Sequence, residues 1–364
     1  RSLDRRAEPT TRPRSSSGGF GGFVVVVLSL SVLAGAGIFV LNTLGGGIQQ
    51  LVDRFTVEDY PGPGGDPVEI VIPEGATGED VARLLVEADV VQSFDAVYQP
   101  MLDLNPDIFP GTFSFPSQIP GLRAVEIIIE GDNRVYDQLR LREGLTVAQT
   151  LEEIESQLGI SVSDMQAELA DLEALGIQNE ANNAEGYLFP ATYQLDPGTT
   201  AEELVQIILR RLDQELSKYG LVRSQAHEML TLASVIQLEA RQTQDFYKVS
   251  TVFNNRLDID MPLQSDATVN YAAKSDSVTT TDQQRADDNP YNTYFYRGLP
   301  IGPIGNPGSL AIDSALNPVE GDWLYFVTVN LTTGETVFSE TLREHEIAVL
   351  DFQAFCRANP GRCG

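Results

Sequence analysis

The feature that most constrains the fold of this 364-residue chain is a long segment without charge between Arg14 and Asp53. Inside it, residues 22–41 form an unbroken apolar or small run, GFVVVVLSLSVLAGAGIFVL. A helix of about 20 such residues matches the hydrocarbon core of a bilayer. Arginines precede the run and acidic residues follow it, which predicts a cytoplasmic N-terminus and an extracytoplasmic remainder. A cleaved signal peptide is the alternative, although the run is long for one and no clear cleavage site follows.

The net charge of −28 limits the partners of this chain. Residues 1–14 carry a net charge of +3, so the remainder carries −31. Such an acidic surface excludes a nucleic-acid backbone as the ligand, because phosphates require basic residues. The two histidines lie far apart, and the two cysteines, Cys356 and Cys363, occur near the end of the chain. We therefore predict no metal site and no cofactor. The cysteines either remain free or form a small disulfide that fixes the tail.

The order of predicted strands and helices indicates an α+β protein made of several segments. Residues 68–73 alternate as a strand, and a Glu-Gly turn and two helices follow. The same order returns 69 residues later. A small strand with paired helices is typical of LysM-like carbohydrate-binding modules, and a spacer is the alternative. The predicted segments are a disordered cytoplasmic tail (1–20), a transmembrane anchor (21–42), a linker (43–67), a membrane-proximal LysM-like domain (68–135), a mixed α+β catalytic domain with long substrate loops (136–355) and a tail (356–364).

A helix at residues 231–240 carries an acidic side chain on its apolar face. At 100° per residue, Leu232, Val235 and Ile236 share this face with Glu239, whereas Gln237 points elsewhere. Burial of an unpaired carboxylate raises its pKa, and a carboxylic acid that is protonated near neutral pH can act as a general acid. The alternative is that Glu239 lies at the edge of the stripe and is solvated or ion-paired.

Two long polar loops follow this helix. Residues 261–271 and 289–308 are rich in Asn, Gln, Thr, Tyr and Asp, together with Pro and Gly. Long loops in a compact domain are usually functional. Amides, carboxylates and aromatic rings are what sugar recognition uses, which favours a glycan-binding cleft. The alternative is that Pro and Gly only brace an irregular surface.

With these segments placed, the chain resembles the endolytic murein transglycosylase (YceG-like) family over residues 68–350. One departure from the family pattern concerns Gln237, since many members have a glutamate there; the helix-face argument places the acid at Glu239 instead. The matching motifs are Glu185-Gly-Tyr-Leu-Phe-Pro190 with Thr192-Tyr193, Leu232-Ala-Ser234 with Glu239-Ala240, Val252-Phe-Asn-Asn-Arg-Leu257, Leu263-Gln-Ser-Asp266 with Thr268 and Tyr271, and Tyr291-Asn-Thr-Tyr294 with Gly298-Leu-Pro300 and Ile304-Gly-Asn-Pro-Gly308.

The resemblance implies a lytic transglycosylase that cleaves nascent peptidoglycan near the membrane and leaves 1,6-anhydromuramoyl ends. Glu239 would be its acid, and Glu185 a second carboxylate that orients the sugar or the acid. The expected partners are glycan strands, the membrane through one N-terminal helix, and peptidoglycan synthases or division proteins. A two-carboxylate hydrolase and a non-enzymatic wall-binding scaffold remain alternatives. The expected substrate-binding residues are Glu185, Gln264, Ser265, Asp266, Thr268, Tyr291, Asn292, Thr293 and Tyr294.

Overall fold

The computed structural model describes residues 57–275 and 280–359, together with 361 and 363. The predicted cytoplasmic tail, the predicted anchor and most of the predicted linker lie outside these residues. The chain divides into two compact units, with the boundary between Arg134 and Val135. Both units combine helices with small antiparallel sheets, so the structure is of the mixed α+β class that the sequence indicated.

The prediction of a single-pass location in the cell membrane needs correction. Among the residues that the structure describes, no helix is long and apolar enough to cross a membrane. A membrane span needs about 20 predominantly apolar residues. The longest described helices, Ala201–Ser217 and Leu342–Ala358, have 17 residues each and carry charged side chains along their length. The segment on which the prediction rested, residues 21–42, lies outside the described part of the chain.

The first unit is a small sheet with three helices. Strand β1 pairs antiparallel with β2, with Val68 opposite Phe115 and Ile70 opposite Phe113, and β3 completes the sheet. Thr77 caps the first helix through its side chain, in a capping box with Asp80. The elements are β1 (Pro67–Ile72), α1 (Gly78–Glu87), α2 (Phe94–Leu104), β2 (Gly111–Pro116), α3 (Gly121–Glu130) and β3 (Arg134–Val135).

The second unit contains the remaining elements. Strands β4 and β5 form one antiparallel pair, and β6 and β7 form another. The elements are β4 (Asp137–Arg140), α4 (Val147–Leu158), α5 (Val162–Glu168), β5 (Thr192–Leu195), α6 (Ala201–Ser217), α7 (His227–Glu239), α8 (Thr243–Asp258), α9 (Asp266–Ala273), α10 (Asp282–Arg285), α11 (Ser309–Leu316), β6 (Tyr325–Asn330), β7 (Glu335–Ser339) and α12 (Leu342–Ala358).

Helix α7 lies at the centre of the second unit. Every residue from Leu230 to Ile236 is buried, and α7 packs against α8 and α11. A helix that is buried all round loses the one-sided apolar stripe expected of a surface helix. The burial ends at the last turn, where Gln237 and Glu239 are partly exposed. The acidic residue therefore stands where the core meets the surface.

The sequence left open whether the two C-terminal cysteines are free or form a disulfide, and the structure shows the disulfide. Cys356, in the last turn of α12, forms a disulfide with Cys363. The bond ties the end of the chain back to this helix. Neither cysteine is free.

Candidate active site

Glu239 is the last residue of α7, and the chain leaves the helix in an extended conformation at Ala240. Its Oε1 accepts a hydrogen bond of 2.5 Å from the Ser265 hydroxyl. Burial raises the pKa of Glu239 most strongly, and the charge of Asp266 raises it further. The Ser265 hydroxyl, the Ala267 amide and Arg241 act in the opposite direction and do not cancel the rise. A carboxylate at a helix C-terminus is also disfavoured by the helix dipole.

These contacts give Glu239 the properties of a proton donor. Its pKa is raised, so the carboxyl group keeps its proton to a higher pH than an ordinary glutamate. Its side chain is held in one orientation by a short hydrogen bond, yet it remains partly exposed to an incoming ligand. A general acid needs all three features.

The segment that holds Ser265 is itself fixed by buried threonines. The Ser265 amide donates to the Thr293 hydroxyl over 3.0 Å, and the Gln264 amide donates to the Thr293 carbonyl over 3.1 Å. The Thr268 hydroxyl donates to the Ser265 carbonyl and lies 2.8 Å from the Thr293 hydroxyl. Thr268 and Thr293 are 0% and 1% exposed, so both position the loop from behind. The exposed Gln264 has a left-handed backbone with a φ of 50°, which is uncommon for a residue other than glycine.

Asp266 links α9 to the second polar loop. Its Oδ1 accepts hydrogen bonds from the hydroxyls of Tyr294, at 2.9 Å, and Thr280, at 2.5 Å. The amide group of Asn292 donates to three backbone carbonyls, and its oxygen accepts the amide of Tyr294. Asn292 is 1% exposed and therefore organises the loop. Asp266 and Tyr294 are partly exposed beside Glu239, where they can line a cleft.

Arg256, in α8, supports the same loop from within the core. Its Nη1 donates to the carbonyl of Leu263 over 2.7 Å, and its Nε donates to the carbonyl of Leu324 over 2.6 Å. Burial lowers the pKa of Arg256, while the nearby charges of Tyr325, Tyr294 and Glu239 oppose this effect. The guanidinium thus joins the segment before Ser265 to Leu324, the residue that precedes strand β6.

Glu185 occupies a second acidic site. It is 5% exposed, and burial raises its pKa to about 7 although two hydrogen bonds oppose the rise. Its Oε1 accepts the Val147 amide at the start of α4 over 2.8 Å, and its Oε2 accepts the Tyr271 hydroxyl over 3.1 Å. Burial and the Glu185 charge raise the pKa of Tyr271 in turn. Glu185 and Tyr291 line a cavity of about 580 Å³.

The two acidic residues contact opposite ends of α9. Ser265, which precedes the first residue of α9, contacts Glu239, whereas Tyr271 in its last turn contacts Glu185. Six residues of α-helix span about 9 Å at 1.5 Å per residue. The pKa of Glu185 is set by its own burial, by Val147 and by Tyr271, and Glu239 is not among these causes. The two carboxyl groups therefore belong to separate sites at the two ends of one helix.

Gln237 has a structural contact in this chain. Its Oε1 accepts the amide of Gly308, just before α11, over 2.9 Å. Because its oxygen is engaged by the backbone, Gln237 helps to fix α7 against the start of α11. The position of Glu239 beside Ser265 agrees with the helix-face argument.

The structure separates the expected site residues into three sets. Ser265, Asp266 and Tyr294 gather around Glu239, and Tyr291 lies with Glu185 at the cavity. Sequence reasoning did not assign Tyr271 a role at the site, although a spacing of three residues from Thr268 on one helix could have drawn attention to it. Among the described residues, no group of three His, Cys, Asp or Glu side chains could hold a metal ion. The buried supporting set is Thr268, Asn292 and Thr293.

Comparison with known proteins identifies one family. The model of the YceG-like family matches residues 70–351. The endolytic murein transglycosylase of Bacillus subtilis strain 168 is 32% identical over 302 residues, which cover 77% of this chain and 83% of that protein. The endolytic murein transglycosylase of Streptococcus pneumoniae strain D39 is 29% identical over 319 residues. That match covers 77% of this chain and 57% of the pneumococcal protein, so the chain spans little more than half of that relative.

A solved structure shows the same similarity. The crystal structure of a YceG-like protein from Listeria monocytogenes is 29% identical in sequence and superposes with a TM-score of 0.51. The match covers 78% of this chain and 99% of the Listeria chain.

Proposed function

The chain belongs to the YceG-like family, and we propose that it has the activity for which its curated relatives are named. It is an endolytic murein transglycosylase, a lytic enzyme that cleaves the bond between N-acetylmuramic acid and N-acetylglucosamine within peptidoglycan strands. The observation that carries the proposal is the geometry of Glu239. Glu239 is partly exposed, and its carboxyl group has a raised pKa and is oriented by Ser265.

We propose that Glu239 is both acid and base. As an acid it gives its proton to the glycosidic oxygen, so the bond from this oxygen to C1 of the muramoyl residue breaks. As a carboxylate it then takes the proton of the muramoyl C6 hydroxyl, and the C6 oxygen closes onto C1. The products are a free hydroxyl on the departing sugar and a 1,6-anhydromuramoyl end. No water is consumed, and the carboxyl group is regenerated.

The surroundings of Glu239 suit this double role. A glycoside hydrolase normally needs a second carboxylate to act as nucleophile or to activate water. The carboxylate whose charge acts on Glu239 is that of Asp266, and its Oδ1 is engaged by two hydroxyl groups. Glu185 contacts the opposite end of α9. The negative charge of Asp266 favours the protonated form of Glu239, which is the form that starts the reaction.

The remaining site residues have proposed roles that follow from their exposure. Ser265 orients the acid, and Asp266, Gln264 and Tyr294 form the cleft wall around it. Glu185 and Tyr291 bind substrate at the cavity. The buried Thr268, Asn292 and Thr293 act on substrate only by holding the two loops in place.

For the first unit we propose a LysM-like glycan-binding role, with residues 136–355 as the catalytic domain. The three-stranded sheet with paired helices α1 and α2 supports the LysM-like assignment. Cleavage within strands limits glycan length. Because a length-limiting enzyme must act while strands are being made, peptidoglycan synthases or division proteins are its expected protein partners.

Replacement of the acid tests the proposal. In Glu239→Gln the amide cannot donate a proton to the glycosidic oxygen, and we expect cleavage of purified glycan strands to fall by at least about 100-fold, the usual contribution of a general acid. The matched control is Glu228→Gln, on the same helix but exposed, which should keep full activity. Normal cleavage by folded Glu239→Gln would contradict the assignment.

A further inference from the structure

We propose that the cavity at Glu185 is a second glycan subsite, which binds an N-acetylated sugar of the strand at a distance from the bond that is cut. This inference rests on the proposed function, since it concerns the same substrate. The cavity measures about 580 Å³, within the range of about 300–1,000 Å³ that is typical of small-ligand sites. Glu239 is not among the residues that line it.

The cavity has a buried acceptor of hydrogen bonds. Each carboxylate oxygen of Glu185 accepts one hydrogen bond from the protein. Oε1 accepts from the Val147 amide, and Oε2 accepts from the Tyr271 hydroxyl. A carboxylate offers about four acceptor sites in all, so each oxygen can accept one more bond from a ligand. Sugar hydroxyls and the N–H of an acetamido group are such donors.

Aromatic and amide groups complete the cavity. The rings of Tyr271 and Tyr291 lie 4.8 Å apart between centroids, at an interplanar angle of 57°. Asn183 joins this pair to Glu185. Its Nδ2 donates to the Tyr291 hydroxyl over 3.1 Å, and its Oδ1 accepts a hydrogen bond from the backbone amide of Glu185 over 3.0 Å. The aromatic rings can pack on the apolar face of a pyranose while the Asn183 amide and the Glu185 carboxylate form hydrogen bonds with its polar groups. The protein contacts are formed before any ligand arrives, so little ordering is needed on binding.

Helix α9 sets the distance between this cavity and the acid. Tyr271 lies six residues after Ser265, which corresponds to an axial rise of about 9 Å. A sugar held at Glu185 is therefore a different residue of the strand from the muramoyl unit at Glu239. Binding energy at this second position is available only to strands that extend that far, which gives a preference for long glycans.

The test uses a variant that changes one atom of the cavity. Tyr271→Phe removes the hydroxyl that donates to Glu185, at 3.1 Å. Tyr219→Phe is the matched control, because it removes a tyrosine hydroxyl that donates to another carboxylate, that of Asp313, at 3.0 Å. Both are made in the full chain with Glu239→Gln, so that strands are bound without being cut. Calorimetric titration with peptide-free glycan fragments of two and eight sugars gives the affinities.

We expect Tyr271→Phe to weaken binding of the eight-sugar fragment about tenfold, while binding of the two-sugar fragment and all binding by Tyr219→Phe remain unchanged. In the active chain, Tyr271→Phe should raise KM for long strands with little change in kcat, because it removes binding that is equal in ground and transition states. An equal loss of affinity for the short and the long fragment, or no loss of affinity for either, would overturn the proposal. Weakened binding of free stem peptide with unchanged glycan binding would assign the cavity to the peptide instead. Because binding is measured without cleavage, this result stands apart from the chemistry proposed for Glu239.

Discussion

Replacement of Glu185 by glutamine should stabilise the protein at neutral pH. The carboxyl group is 5% exposed, and burial raises its pKa from 4.5 to about 7. A group whose folded pKa is raised contributes stability that is complete below the unfolded pKa and is lost as the pH rises through the folded pKa. At about 1.36 kcal/mol per pH unit, ionisation of buried Glu185 should lower the free energy of unfolding by roughly 3 kcal/mol between pH 4.5 and pH 7.5.

Glutamine has the same shape as glutamate and does not ionise. The free energy of unfolding of Glu185→Gln should therefore not fall with ionisation at this position. The assay is urea denaturation of both proteins across this pH range, followed by the fluorescence of Trp323, the single tryptophan, which lies in the second unit. The stability of the variant minus that of the wild type should rise by roughly 3 kcal/mol from pH 4.5 to pH 7.5. The raised pKa of Glu239 is common to both proteins and cancels in the difference.

Glu215→Gln is the matched control with the opposite sign. Glu215 is 1% exposed, but hydrogen bonds and ion pairs, including one of 2.8 Å to Lys218, outweigh the effect of burial and lower its pKa. Its contribution to stability is present above the unfolded pKa and is lost as the pH falls, so this variant should be less stable than wild type at neutral pH. A Glu185→Gln difference that does not change with pH would refute the reasoning about the buried carboxyl group.

Two further predictions concern the groups that hold the acid. Ser265→Ala removes a hydrogen bond that lowers the pKa of Glu239, so the alkaline limb of the pH profile of kcat should move to higher pH; an unchanged or lowered limb would contradict the assignment. Arg256→Lys cannot reproduce both guanidinium bonds, to Leu263 and to Leu324, and should lower the free energy of unfolding by about 1–3 kcal/mol in urea denaturation. Wild-type stability of Arg256→Lys would show that these two hydrogen bonds do not stabilise the fold.

The place of the proposed acid in the fold could be inferred from helical spacing, because this spacing is a local property. The spacing of Leu232, Val235 and Ile236 placed Glu239 on an inward face, and the structure puts Glu239 at the end of a buried helix. The burial of α7 on all sides was not predicted. It results from packing against α8, which follows directly in the chain, and against α11, which begins seventy residues after Glu239.

The roles of the loop residues were harder to predict for a related reason. A polar side chain in a loop can face a ligand or bind the chain's own backbone, and both choices use the same residue types. The side-chain amide of Asn292 donates to backbone carbonyls five to eight residues earlier, whereas Thr293 bonds Ser265 and Thr268, more than twenty residues away. Only the folded chain shows that these side chains are buried. The cavity at Glu185 depends in the same way on a contact with Tyr271, 86 residues later.

The central claim is that the strand is cut without water. Its most direct test is digestion of borohydride-reduced peptidoglycan strands in ¹⁸O-labelled water, followed by mass spectrometry of the new ends. If Glu239 directs the muramoyl C6 hydroxyl onto C1, every new muramoyl end is a 1,6-anhydro form, one water lighter than a hydrolysis product and free of ¹⁸O. New reducing ends that carry ¹⁸O would show that water attacks C1, and would contradict the account.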